Sequence, residues 1–224
     1  MALPTEKPSN PLGSLAVNAK SIVSSLLGLS LLVVAALTCP SAQAFPRPNI
    51  LQRDWQYQFT YQRPKPISVR NTQGVVEWYW YMPYKVVNVT GEERLFIPSI
   101  TIATEEGDII TAGKGVPAIV FVKIKAELGN TLLQSPAQVV GKFLTGEDFA
   151  KESVAIWPAF GHDISRMSIF IGGISGETHE EHDPVSGDKV LMNKTLMINF
   201  EFPGKPASPQ QQAVMSRGDQ WIVR

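Results

Sequence analysis

The stretch DWQYQFTY, residues 54–61, carries a ring at every second position: Trp55, Tyr57, Phe59 and Tyr61 on one side, with Gln56, Gln58 and Thr60 on the other. A period of two is the signature of a strand that buries one face and wets the other. The same rule recurs in NKTLMINFEFPG, where Leu196, Ile198, Phe200 and Phe202 share a face. It recurs again in GVVEWYWYMPY, where Trp78, Trp80 and Met82 point one way and Glu77, Tyr79 and Tyr81 the other. A chain written this way must stack sheets to hide its apolar faces.

Breaks between these runs set the order of strands. RPKP, residues 63–66, interrupts a ladder, because proline has no N–H to donate. RLFIPSITIATEEGDIITAG reads as two strands around a Glu106-Gly107-Asp108 turn, with Pro98 marking an edge or a bulge. GVPAIVFVKIKAELG is ambiguous between strand and helix. Pro117 near its start, Gly129 past its end, and Val120, Phe121, Ile124 and Leu128 at helical spacing favour a short helix. GEDFAKE adds a helical turn ahead of the strand SVAIW, RMSIFIGGI is a further strand, and QWIVR is a last one. About eight strands with turn signals between them, and no internal repeat or linker, predict an all-β fold: a single antiparallel β-sandwich, immunoglobulin-like, with one or two short helices.

The N-terminus follows different rules. After Lys20 comes an uncharged apolar run, residues 22–38, and then CPSAQA. Ala42 and Ala44 flanking Gln43 form the small-x-small pattern that a signal peptidase cuts, so residues 1–44 read as a signal peptide cleaved before Phe45. Residues 45–224 are then the β-sandwich domain. An uncleaved anchor, or lipidation at Cys39, would be the alternatives, and only through them would the chain touch a membrane; Thr38 before Cys39 suits a lipoprotein signal poorly. The 224-residue chain has 20 basic and 20 acidic side chains; losing Glu6, Lys7 and Lys20 leaves 18 and 19, a net charge of −1. That balance argues against a nucleic-acid partner. The segment also removes Cys39, the one cysteine, so the mature domain would hold no disulfide and rely on its core. The expected location is exported: periplasm, cell envelope or outside.

WYWYMPYKVVNVTG, SVAIWP, ISGETH, NKTLMINFEFPG and the terminal WIVR together resemble a group of uncharacterised exported proteins of planctomycete-type bacteria. The resemblance spans most of the mature chain. It implies an envelope location and a β-sandwich, and it brings no catalytic residues with it.

The densest chemistry lies in ISGETHEEHDPVSGDK, residues 174–189. His179, His182 and Asp183 from this stretch, with His162 of FGHD, make a candidate metal set, since zinc takes three or four such ligands. The H-E-x-x-H pattern is absent, because the second imidazole arrives one residue early. The competing reading is a polar hairpin turned by Asp183-Pro184 and Ser186-Gly187-Asp188, and the sequence favours it. Acid-base work would need a cleft to shift a carboxylate, and no apolar pocket is evident here. Nucleophile patterns are also missing: GGISGE lacks the G-x-S-x-G spacing, and Ser186 with Lys189 stands without the companion motifs of serine acyl-transferases. Arg217-Gly218-Asp219 and the sequons at Asn88 and Asn193 read as incidental.

Aromatic rings on both faces of WYWYMP need a second explanation. Either Tyr79 and Tyr81 pair across strands, or Tyr79, Tyr81 and Tyr84 form an exposed platform that stacks on sugar or peptide. The sequence therefore predicts an exported, non-enzymatic binding or structural module of the envelope, with an unidentified envelope protein or glycan as partner and no cofactor. Its alternatives are a metal-binding protein or metal-dependent hydrolase using the His179/His182 loop, and a carbohydrate-binding module using the tyrosine patch.

Overall fold

The computed structural model describes residues 55–160, 164–203 and 214–224. The signal segment, with Cys39, Ala42, Ala44 and Phe45, lies outside the described residues, as does His162. All described residues belong to one compact unit, Pro46–Arg224. Among them no helix is long and apolar enough to cross a membrane.

The first sheet is organised by one long strand, β3 (Val76–Val87). Strands β1 (Gln58–Tyr61) and β2 (Lys65–Arg70) pair with its two halves, β1 with Tyr84–Val87 and β2 with Val76–Tyr81. Strand β8 (Lys151–Pro158) pairs with Tyr79–Val86. Since Tyr81 and Tyr84 each have a β8 partner on one side, β1 and β2 must share the other edge, end to end. The proline-rich break is the joint between them; the Gln62 N–H still donates to the Pro83 carbonyl at 2.9 Å.

The second sheet runs β12 (Met215–Val223), β11 (Lys189–Glu201), β9 (Arg166–Gly172), β5 (Ser99–Thr104), β6 (Ile109–Thr111), all antiparallel. Strand β10 (Thr178–His182) continues the line of β9 along β11 after the Gly172-Gly173 break. Pro98 separates β5 from β4 (Arg94–Phe96), which leaves to pair with β7 (Gly141–Phe143) as a two-stranded ribbon. Just before β1, Gln56 bridges to Ser175, and Tyr57 N–H donates to Ile174 O at 2.9 Å, so the N-terminal strand ties the two sheets together.

The sheets pack face to face on the residues that the alternation singled out in β1, β3 and β11, together with inward residues of β8 and β9. Tyr57, Trp80, Met82, Trp157, Ile169, Ile171, Leu196, Ile198, Phe200 and Phe202 form one buried cluster, with Trp55, Phe59 and Tyr61 against it. Each large side chain so buried contributes about 1.5–3 kcal/mol. The expected antiparallel sandwich is what the chain forms. Trp78, expected in the core beside Trp80, is only half-buried near the sheet margin.

The segment whose punctuation favours a short helix is helix α1 (Ala118–Leu128). Pro117 precedes it in extended conformation, and Gly129 closes it at φ 61° with its N–H on Ala126 O, so proline and glycine act as start and stop. Helix α1 packs Val120 and Ile124 onto the far side of the first sheet, over Ile67, Val69, Tyr79, Tyr81, Val154 and Ile156. The first sheet is thus buried on both faces, a three-layer arrangement of helix, sheet and sheet. The second expected helical turn is the 3-10 turn Glu147–Phe149.

Candidate functional site

The three-layer arrangement overturns the tyrosine platform. Tyr79, Tyr81 and Tyr84 are 5%, 1% and 5% exposed, which leaves no ring for a ligand to stack on. Tyr79 and Tyr81 lie beneath α1, with hydroxyls donating to Glu77 Oε2 at 2.7 Å and Glu127 Oε1 at 3.3 Å. Tyr84 faces the sandwich core, stacked on Phe59 at 5.2 Å, and borders a cleft of about 310 Å³ beside Lys85 and Glu152. Burial pushes all three phenols up to about 12, reinforced for Tyr79 and Tyr81 by the neighbouring carboxylates. The error had a physical source: a strand in an antiparallel sandwich was expected to wet one face, and here a helix covers it.

The acid-and-histidine stretch folds as a hairpin, β10 paired with the start of β11 from Thr178↔Asn193 to His182↔Lys189. The ladder takes in both histidines, placing them on a strand rather than in the loop. Strand alternation then sends them to opposite faces. His179 Nε2 lies 3.2 Å from Glu181 Oε1 on one face, while Glu180 pairs with Lys189 at 2.6 Å on the other, where His182 Nδ1 is 3.3 Å from Gly187 O. Asp183 is occupied with the turn: its carboxylate accepts from the N–H groups of Val185 at 2.7 Å and Ser186 at 3.2 Å, which hold its pKa below the usual range. His179, His182 and Asp183 therefore do not converge on one ion. Among the described residues no group of three His, Cys, Asp or Glu side chains is placed to hold a metal.

The incidental motifs are likewise absorbed by structure. Asn88 is buried, its amide donating to Glu92 O at 2.7 Å and Phe143 O at 2.8 Å. Arg217-Gly218-Asp219 is a bulge in β12 rather than a loop: register shifts between Ile198↔Asp219 and Phe200↔Ser216, with Gly218 at φ 99°.

The arrangement that the sequence did not announce lies on the outer face of the second sheet. Alternation in β9 sends Met167, Ile169 and Ile171 inward, so Phe170 and Gly172 face out. Their registered neighbours on β5, Thr101 and Ser99, share that face. Arg224, whose backbone pairs with Asn193 at the end of the β11–β12 ladder, reaches across β11, its guanidinium carbon 4.5 Å from the centre of the Phe170 ring. These residues enclose a hollow of about 370 Å³, with Thr195 buried and Ser99, Asn193 and Arg224 exposed. A second, apolar hollow of about 220 Å³ adjoins it, sharing Thr101, Phe170 and Arg224 and adding Ala103 and Ile109.

Gly172 keeps the first hollow open. Its φ is not positive, so the backbone there does not demand glycine. A Cβ would meet only ordinary contacts, Ser99 at 3.8 Å and Thr195 Oγ1 at 4.0 Å. What its missing side chain provides is space. No side-chain carboxylate pairs with Arg224 among the described residues, so a positive charge lies over an aromatic ring at the edge of a polar hollow.

No family model, curated protein or solved structure matches this chain. The hollow therefore stands on its own geometry. A sequence signal for it existed in the outward-facing Phe170 of a strand that is otherwise polar or small on that side. Recognising it needed the register, which brings Thr101, Asn193 and Arg224 to the same place from three other parts of the chain.

Proposed function

We propose that this protein is an exported, non-catalytic binding module of the periplasm or cell envelope, and that it binds through the outer face of its second sheet. The observation that carries the reading is the hollow beside Gly172, with Arg224 on Phe170 and without a carboxylate partner among the described residues. Export rests on the apolar run and the Ala42-Gln43-Ala44 pattern. A binding rather than catalytic role is supported by the fate of the richest cluster of titratable groups, which is spent on turn caps and exposed ion pairs.

Sheet edges are less suited to the task. The β10 edge is lined by His179, Glu180, Glu181 and His182, and the β12 edge is bent by its bulge; both devices oppose strand addition. Binding is thereby directed to the sheet face.

The test compares the protein with Gly172→Val, which fills the hollow with a residue suited to a strand. Both are immobilised and challenged with envelope extract from the native cell, after in-cell crosslinking. A component retained by the parent and lost by the variant is the expected result. Equal retention by both would remove the hollow from the account.

A further inference from the structure

We propose that the hollow binds an acidic sugar unit of a polysaccharide, with Arg224 clasping its carboxylate. The inference rests on the binding-module reading above and names the ligand class of the same site.

Charge count narrows the ligand first. Arg224 is the one cationic side chain among the described lining residues; Ser99, Thr101, Ser175, Asn193 and Thr195 are neutral and polar. One guanidinium among many neutral groups suits a ligand with one negative charge and several hydroxyls. A sulfated chain or a nucleic acid, with dense charge, calls for several cations. The planar fork of arginine matches a carboxylate through two parallel N–H···O bonds, and the Phe170 ring, 4.5 Å from the guanidinium carbon, holds the cation over the hollow by cation–π attraction.

The hydrogen-bonding inventory points the same way. The side chains of Ser99, Thr101 and Asn193 have no hydrogen-bond partner among the described residues, and each can both donate and accept. Sugar hydroxyls have the same dual character. The adjoining apolar hollow of Ala103, Ile109 and Phe170 offers a dry surface to the C–H face of a ring.

A peptide carboxylate fits less well. Peptides that bind sheets do so by main-chain pairing at an edge. Strand β5 lies between β6 and β9, and β9 lies between β5 and β11, so the backbone beneath the hollow is already paired. Only side chains are on offer there, as a sugar requires.

The experiment is calorimetric titration of the purified full-length protein with galacturonate, glucuronate and mannuronate oligomers, and with the same oligomers after reduction of their carboxyls to alcohols. Arg224→Gln, Thr101→Val and Gly172→Val are run alongside, with near-ultraviolet circular dichroism to confirm that each is folded. The expected result is binding of at least one uronate series. Carboxyl reduction and Arg224→Gln should each weaken it by about tenfold or more, and Gly172→Val should abolish it. If reduced oligomers bind as well as acidic ones and Arg224→Gln changes nothing, while Gly172→Val still blocks, the acidic-sugar assignment fails and the hollow remains a binding site. If every oligomer fails to bind while envelope extract still distinguishes the parent from Gly172→Val, the sugar assignment alone is overturned. If the extract does not distinguish them either, both readings fall.

Discussion

Lys194 Nζ lies 2.7 Å from Glu177 Oε2, and the two side chains are 3% and 6% exposed. The pair joins β11 to the segment just before β10, where the Lys194 N–H also donates to Glu177 O at 3.0 Å. The ammonium is further covered by the Trp221 ring, 5.1 Å from its centre. A buried ion pair of this kind brings little net stability, but breaking it leaves one charge stranded in a medium that solvates it poorly.

Glu177→Leu should therefore cost about 3–5 kcal/mol, since it leaves the Lys194 ammonium buried without this carboxylate. The double replacement Lys194→Met with Glu177→Leu should cost much less than the single one, because no lone charge is left behind. Urea unfolding of parent, single and double variants measures both. A single variant as stable as the parent would show that the Lys194 ammonium is well accommodated without this carboxylate.

The tyrosines give a prediction in pH. The chain has five tyrosines, and all of them, Tyr57, Tyr61, Tyr79, Tyr81 and Tyr84, have pKa values raised in the folded state. Burial is the leading cause for each, since it disfavours the phenolate. The unfolded chain releases these protons near pH 10, whereas folded Tyr79, Tyr81 and Tyr84 hold theirs to about 12. Their contribution to stability is thus complete below pH 10 and is lost as pH rises through about 12. Phenolate absorbance should stay low at pH 10 and rise together with loss of near-ultraviolet circular dichroism. A chain whose tyrosines ionise near pH 10 while still folded would contradict the double-sided burial of β3.

How much of this was legible follows from what each signal measures. Alternation is local, so the inward face of β1, with Trp55, Tyr57, Phe59 and Tyr61, and that of β11, with Leu196 to Phe202, could be read directly. Proline and glycine punctuation resolved α1 despite its β-branched residues. What no local signal carries is which second layer covers a face. Tyr79 and Tyr81 looked available because α1, forty residues downstream, is what buries them. His179 and His182 part for a related reason: residues three apart converge on a helix or in a loop but diverge on a strand, and the ladder extends to His182. The hollow was invisible because Arg224, Phe170 and Thr101 meet only through pairing register.

Gly173 tests a different constraint from its neighbour Gly172. It sits at φ 77°, and a Cβ there would fall 2.2 Å from the Ile97 carbonyl oxygen and 3.1 Å from its carbon. The left-handed conformation alone costs a residue with a Cβ about 1–2 kcal/mol, and the overlap with backbone adds to it. Gly173→Ala should lower the thermal midpoint clearly, whereas Gly172→Val should leave it close to that of the parent. Equal effects at both positions would mean that the Gly172 hollow is not open space.

Asp183 gives the hairpin tip its shape through two N–H groups, and its carboxyl is held below the usual range by those bonds. A lowered carboxyl pKa contributes order above the unfolded value and loses it as pH falls through the folded one. Asp183→Ala should speed amide hydrogen exchange at Val185 and Ser186 while the exchange of β9 and β5 is unchanged. Acidification below the Asp183 pKa should have the same local effect on the parent. Protection at the tip that survives both would show that the Asp183 N–H to Asp188 O and Gly187 N–H to Asp183 O bonds, each 2.8 Å, suffice alone.

The charges on β10 find their use at the sheet edge. Among the described residues Thr178–His182 pairs with β11 on one side only, and it alternates His179 and Glu181 on one face with Glu180 and His182 on the other. An open edge of this kind adds strands from other molecules unless charge makes the approach costly. Replacing His179 with Val, Glu180 with Thr, Glu181 with Val and His182 with Thr keeps strand propensity and removes the charge. That variant should retain the fold by circular dichroism but self-associate at concentrations where the parent stays monodisperse in sedimentation velocity. Restoring Glu180 and Glu181 alone should reverse the association, and raising salt on the parent should promote it by screening the same charges. If the neutral variant sediments like the parent, the acidic residues of the hairpin have no protective role at the edge, and edge-wise binding by β10 becomes the reading to pursue in place of the sheet face.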